Sequence, residues 1–170
     1  TMRLLAEEQK LGTLELLMTA PVRDYEIVLG KYLAAMASLL STLIPTVYLV
    51  LLLSWFGSPD TGPILSGYLG LVLFGMATLS VGLLASSLTG NQIVAAVVAI
   101  GALLLLSVIS LAETYVGGIF NELVRQLSIT NHFESFARGV IDTHDAFYYL
   151  SMTVFLLFLT VRSLESRRWR

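Results

Sequence analysis

The sequence predicts an all-α, polytopic helical membrane protein with about four transmembrane helices, and three observations predict it. Of its 170 residues 56% are hydrophobic and only 13% charged, which is more apolar surface than a soluble domain of this size can hide. The charges are also sorted: long stretches hold none, while Lys, Arg, Asp and Glu crowd into the first thirty residues, one later loop and the tail. Between them lie four uncharged runs, most of them long enough for a helix rising about 1.5 Å per residue to cross a hydrocarbon core of about 30 Å.

The first span is expected over residues 25–53, because no charge interrupts Tyr32 to Leu53. Asp24 is read as its N-cap, Glu26 suits the first turn, and Lys31 is near enough to the end to snorkel. Pro45 removes an amide in mid-span and predicts a kink, with Ser41 and Thr42 placed to help the freed backbone. The stretch SWFGSPDTGP (Ser54 to Pro63) is a tight turn carrying an interfacial Trp55. A second span at 64–85 holds Gly67, Gly70, Gly75 and Gly82, residues small enough for close helix contact in lipid. A polar turn, Ser86 to Gln92, leads to a third span at 93–112.

Residues 113–145 form a patterned connection. Phe120, Leu123, Val124 and Leu127 recur at helical spacing, as do Phe133, Phe136, Ala137, Val140 and Ile141. Two short amphipathic helices are therefore expected on or in the membrane surface, the second capped by Asn131 with Glu134 three residues on. A last span at 146–164 ends in a basic tail, 165–170.

Four spans put both chain ends on one side. Arg3, Lys10, Arg23, Lys31, Arg162, Arg167, Arg168 and Arg170 flank that side, against Arg125 and Arg138 on the other, so both ends are expected in the cytoplasm and the 113–145 loop outside. Thr1 to Arg23 is charged and amphipathic, unlike the basic start and apolar run of a signal peptide.

Several function classes are disfavoured. A net charge of −2 and a pI near 5.6, without basic clusters interleaved with aromatics, argue against nucleic acid as a partner. The lack of cysteine removes disulfides and thiolate metal sites. Gly30-Lys31 is followed by Tyr32 and lacks the glycine five residues before Gly30 that a P-loop requires, so the chain is not expected to hydrolyse ATP. No span carries an ionisable Asp, Glu, Lys or Arg well inside the hydrocarbon, which disfavours a proton-driven carrier. His132, Glu134, Asp142, His144 and Asp145 gather in the external loop, but their spacing matches no metal or catalytic signature, and helix capping and solvated charge account for them. Ser38, Ser41, Thr42, Thr78, Ser80 and Ser107 could line a path, although small hydroxyls in spans more often pack and bond back to their own helix.

Residues 1–24 are read as a cytoplasmic segment containing a short surface helix, broken at Ala20-Pro21. Leu11, Leu14, Leu17 and Met18 form its apolar face, with Thr13, Glu15 and Thr19 off it. Periodicity alone leaves two roles open, an interfacial anchor for the first span or a docking element for a soluble partner.

The segment AEEQKLGTLELLMTAPVRDYEIVLGKYLAA, with SSLTGNQIVAA and HFESFARGVIDTHDAFYYLS further on and ESRRWR at the end, resembles ABC-2 type transporter permeases. It is most similar to the gliding-motility and nitrous-oxide-reductase-maturation branch, in order along essentially the whole chain. The resemblance implies six spans, of which these four would be the third to sixth, so the chain is expected to be a C-terminal part lacking the first two transmembrane helices. It also implies that the N-terminal surface helix is a coupling helix. Gly12, Thr13, Leu14, Glu15, Leu16, Leu17, Thr19, Pro21 and Arg23 would then contact a separate cytoplasmic ABC ATPase, which holds the ATP and Mg while this chain needs no cofactor. A second permease chain, identical or different, would complete the assembly in the plasma (inner) membrane. The expected function is that of an exporter permease, not an enzyme. The alternative is a non-transporting membrane scaffold or assembly subunit.

Overall fold

The computed structural model describes residues 5–6, 23–57, 59–112 and 128–168. Among them the helices are α1 (Asp24–Phe56), α2 (Thr61–Leu88), α3 (Gln92–Ala112), α4 (Ile129–Ala137) and α5 (Thr143–Arg168). The protein is all-α and polytopic. Three helices are long and apolar enough to cross a membrane, Asp24–Phe56, Thr61–Leu88 and Thr143–Ser166, and Gln92–Val108 is a shorter apolar helix.

Local chemistry sets most of the helix ends. Asp24 is the first helical residue of α1 and not its N-cap, which is Arg23; the Arg23 amide donates to Glu26 Oε2 at 3.0 Å, so the acids of this turn sit inside the helix, where the dipole favours them. α1 continues unbroken through Pro45 to Phe56. α2 starts at Thr61 with Pro63 in its first turn, where a missing amide costs little, and runs to Leu88. Ser86 and Ser87 therefore belong to the last turn of α2, and the polar connection shortens to the residues around Asn91, whose Oδ1 accepts the Ile93 amide at 3.0 Å.

The cap of α4 differs from the sequence expectation. Ser128, not Asn131, is the N-cap, its hydroxyl accepting the Asn131 amide at 3.3 Å, because burial of Ser128 and Ile129 starts the helix one turn earlier. Glu134 is left to pair with Arg138 along the helix surface. α4 also ends before Val140 and Ile141, which stand exposed beyond it. Gly139 closes the helix with φ of 90°: its amide donates to the Phe136 carbonyl, and the Val140 amide to the Ser135 carbonyl, both at 3.1 Å, the paired bonds of a Schellman stop. The other short helix expected in this connection lies outside the described residues.

α2 is the hub. It packs against α5 most extensively, then against α3, α4 and α1, while α1 also touches α5. The reason is its side chains: Ser66, Gly70, Gly75, Ala77, Ser80, Gly82, Ala85, Ser86 and Ser87 are buried, and their small size lets neighbouring backbones approach. Gly70 takes the Phe136 ring of α4, and a Cβ there would fall 2.5 Å from Phe136 Cβ. Gly75 takes Leu39 of α1, at 2.6 Å from its Cδ1. Polar bonds add to the contact: Ser66 Oγ donates to the Phe136 carbonyl at 2.8 Å, Tyr68 Oη to Thr46 Oγ1 at 2.8 Å, and Tyr32 Oη to the Met76 carbonyl at 3.2 Å.

Two apolar clusters result. One joins Leu5, Val28, Tyr32, Leu83 and Leu164; the other joins Leu73, Ala77, Ile129, Phe136 and Tyr149. Outside them the apolar order is inverted, as lipid demands: Leu33, Ile44, Tyr48, Leu49 and Leu51 of α1, and Val97 and Leu105 of α3, are exposed. The hydroxyls of Ser38, Ser41, Thr42, Thr78, Ser80 and Ser107 all donate to carbonyls three or four residues back.

The glycines can be ranked by what a methyl group would meet. Gly70→Ala drives a Cβ into the stem of Phe136 and is expected to destabilise by about 1–3 kcal/mol. Gly139→Ala adds a left-handed penalty of about 1–2 kcal/mol. Gly67→Ala meets nothing within 4 Å and is expected to gain about 0.5–1 kcal/mol from helix propensity. Thermal unfolding of the three variants in one detergent should therefore order them Gly67→Ala, wild type, and then the other two.

Candidate functional site

The end of the bundle where α1 and α3 begin and α2 and α5 finish carries the best-built feature outside the spans. Leu5 and Ala6 are completely buried there. Their amides both donate to Ser86 Oγ, at 3.2 and 2.9 Å, in buried bonds that tie residues eighty positions apart. Backbone N–H groups removed from water require a partner, and a hydroxyl in the last turn of α2 supplies two of them at once. Beneath the bonds the Leu5 side chain enters the cluster of Val28 and Tyr32 from α1, Leu83 from α2 and Leu164 from α5. Three helix ends and the Leu5–Ala6 pair thus meet in one contact.

Arg23 stands exposed at the head of α1, with its guanidinium 3.4 Å from Tyr25 Oη and 5.9 Å from the centre of the Tyr25 ring. The remaining residues expected to contact an ATPase, Gly12, Thr13, Leu14, Glu15, Leu16, Leu17, Thr19 and Pro21, lie outside the described residues. What the described residues define is a contact on either side of them, Leu5–Ala6 on Ser86 and, in the first turns of α1, Val28 and Tyr32 in the same cluster as Leu5. A segment held at both ends against one group of helices can pass a displacement to all of them.

Sequence reasoning overlooked Ser86 and Leu5. Ser86 falls within the SSLTGNQIVAA motif, where it reads as a turn residue, and Leu5 precedes the amphipathic pattern; neither carries a local signal of pairing with the other. At the opposite end, Glu134 is in its surface pair with Arg138, and Asp142 caps α5 by accepting the His144 amide at 2.9 Å. Asp142 thus has a capping role, whereas Glu134 pairs along the helix surface instead of closing a capping box with Asn131. His132, His144 and Asp145 stand together where α4 meets the start of α5.

Comparison with curated proteins and with solved structures finds no match. Residues 1–163 match the family described as ABC-2 family transporter protein, so the match covers the Ser86 contact, the first three expected spans and all but the last residue of the fourth. This multi-pass helical membrane chain belongs to the ABC-2 transporter family and is a transport subunit, not an enzyme.

Proposed function

We propose that the chain is the membrane-spanning permease subunit of an ATP-binding cassette exporter, driven by a separate cytoplasmic ATPase through residues 12–23. The observation that carries this reading is the double attachment around that segment, with Leu5 and Ala6 on Ser86 and with Val28 and Tyr32, in the first turns of α1, in the same cluster as Leu5. Closure of the ATPase on ATP would displace the segment as a body. Because both flanks are fixed to α1, α2 and α5, these helices would move with it instead of the linkers stretching.

The topology that goes with this reading has four spans, α1, α2, α3 and α5, both chain ends cytoplasmic, and α4 on the outer side. The excess of Lys and Arg at the chain ends supports it. The exposed apolar faces of α1 and α3 would meet lipid and a second permease chain. Gly12, Thr13, Leu14, Glu15, Leu16, Leu17, Thr19, Pro21 and Arg23 would enter the ATPase cleft, with Glu15 and Arg23 making its charged contacts.

Two variants separate docking from transmission. In detergent, the full-length protein is expected to co-purify with its ATPase, and deletion of Gly12 to Thr19 is expected to abolish that. A wild-type chain that brings down no ATPase would favour the scaffold reading. Ser86→Ala leaves two buried amides without an acceptor, at about 1–3 kcal/mol each. It is expected to keep the ATPase bound while lowering transport-linked ATP hydrolysis about tenfold or more.

A further inference from the structure

The geometry points to a zinc site built from His132, His144 and Asp145, pinning α4 to the start of α5. The nitrogen and oxygen atoms these residues offer all lie within 4.8 Å of one another. Asp145 Oδ1 is 4.0 Å from His132 Nε2 and 3.9 Å from His144 Nδ1, so one carboxylate faces both rings.

Three features set the cluster apart from solvated loop charge. The first is the ring of His132, which is buried and whose Nδ1 lies 2.8 Å from the Ser128 carbonyl. A carbonyl only accepts, so Nδ1 donates to it, and Nε2, which faces Asp145, is the nitrogen placed to bind a metal. The Ser128 residue that orients this ring is itself the buried N-cap of α4. The second is Asp145, only 8% exposed, whose buried Oδ2 has no hydrogen-bond partner among the described residues. A buried carboxylate needs a positive charge beside it, and a divalent cation shared with the two imidazoles supplies one. The third is packing: the His132 ring stacks on Tyr148 at 4.0 Å and runs nearly parallel to His144 at 6.0 Å, which holds the two imidazoles in register.

Two imidazoles and one carboxylate are a zinc donor set, leaving a fourth position for water or an exchangeable ligand. Tetrahedral zinc with bonds of about 2.0–2.1 Å separates its ligand atoms by roughly 3.3 Å. The two Asp145 contacts therefore have to shorten by roughly 0.6–0.7 Å on binding, and the widest pair of donor atoms by up to roughly 1.5 Å. His144, whose side chain is 71% exposed, can move to meet that demand. The site lies about 28 Å along α5 from the Leu164 contact, so it is at the other end of the bundle. Its occupant would clamp α4, and with it the Phe136 side chain seated against Gly70. The site depends only on these contacts and is independent of any coupling to an ATPase.

The test uses the full-length protein, purified through a histidine-free tag, stripped with a chelator and titrated with zinc against a competing chromophoric chelator. One equivalent per chain is expected, undiminished by excess magnesium or calcium, together with a rise in the thermal unfolding midpoint. His144→Ala leaves the fold intact because the ring is exposed, and Asp145→Asn keeps the shape of the side chain. Each is expected to weaken zinc binding about tenfold or more and to remove the rise in midpoint, whereas Glu134→Gln, in the same connection but outside the cluster, changes neither. Absence of saturable uptake, or uptake that His144→Ala and Asp145→Asn leave unchanged, overturns the assignment.

Discussion

The close approach that Gly70 and Gly75 permit along α2 is the contact on which the rest of the bundle depends. In hydrocarbon, apolar side chains gain little by leaving lipid for one another, so helices associate where shape allows backbones to meet and where polar groups find partners. α2 meets both conditions. Phe136 occupies the space above Gly70, Leu39 that above Gly75, and Ser66 bonds the Phe136 carbonyl beside the first of these contacts. Without those two small residues neither α4 nor α1 could lie where it does, and the clusters around Leu83 and Tyr149 would lose a wall each.

This packing also explains how events at one end of the molecule can reach the other. α2 and α5 share the most extensive contact in the fold and both enter the Leu5 cluster at one end and the Phe136–Tyr149 cluster at the other. Tyr149 Oη donates to the Ile129 carbonyl at 2.6 Å, and so holds the first turn of α4 on α5. A shift applied at Leu5 and Val28 thus meets a continuous packed body before it meets anything soft. α1 differs, since little of its length is covered and its apolar face is offered outward.

The spans were legible because a bilayer forbids charge and the runs between charges are the helices. Their ends were less so. α2 extends past both expected limits because Thr61 and Ser86–Ser87 are polar yet helical, and α5 begins at Thr143 because Asp142 caps it ahead of the apolar run. In α4, Ser128 and Asn131 are both good caps three residues from a suitable partner, and burial of Ile129, a tertiary fact, decided between them. The pairing of Leu5 with Ser86 and the meeting of His132 with Asp145 are matters of helix packing, which no spacing in the chain encodes. Family membership was legible from whole motifs, GTLELLMTAPV and SSLTGNQIVAA among them, and not from any one of these contacts.

In the proposed coupling, the Leu5–Ala6 contact with Ser86 is a fixed anchor through which residues 12–23 move the helices. The chain has no cysteine of its own, so Ala6→Cys and Ser86→Cys can be combined and bridged with a short thiol cross-linker in the assembled, full-length transporter. Transport-linked ATP hydrolysis should be low in the unbridged double variant, where the hydrogen bonds are gone, and return toward wild type once the covalent bridge replaces them. If bridging instead stops the cycle while the ATPase stays bound, the contact has to open during transport, and the account of a rigid anchor is wrong.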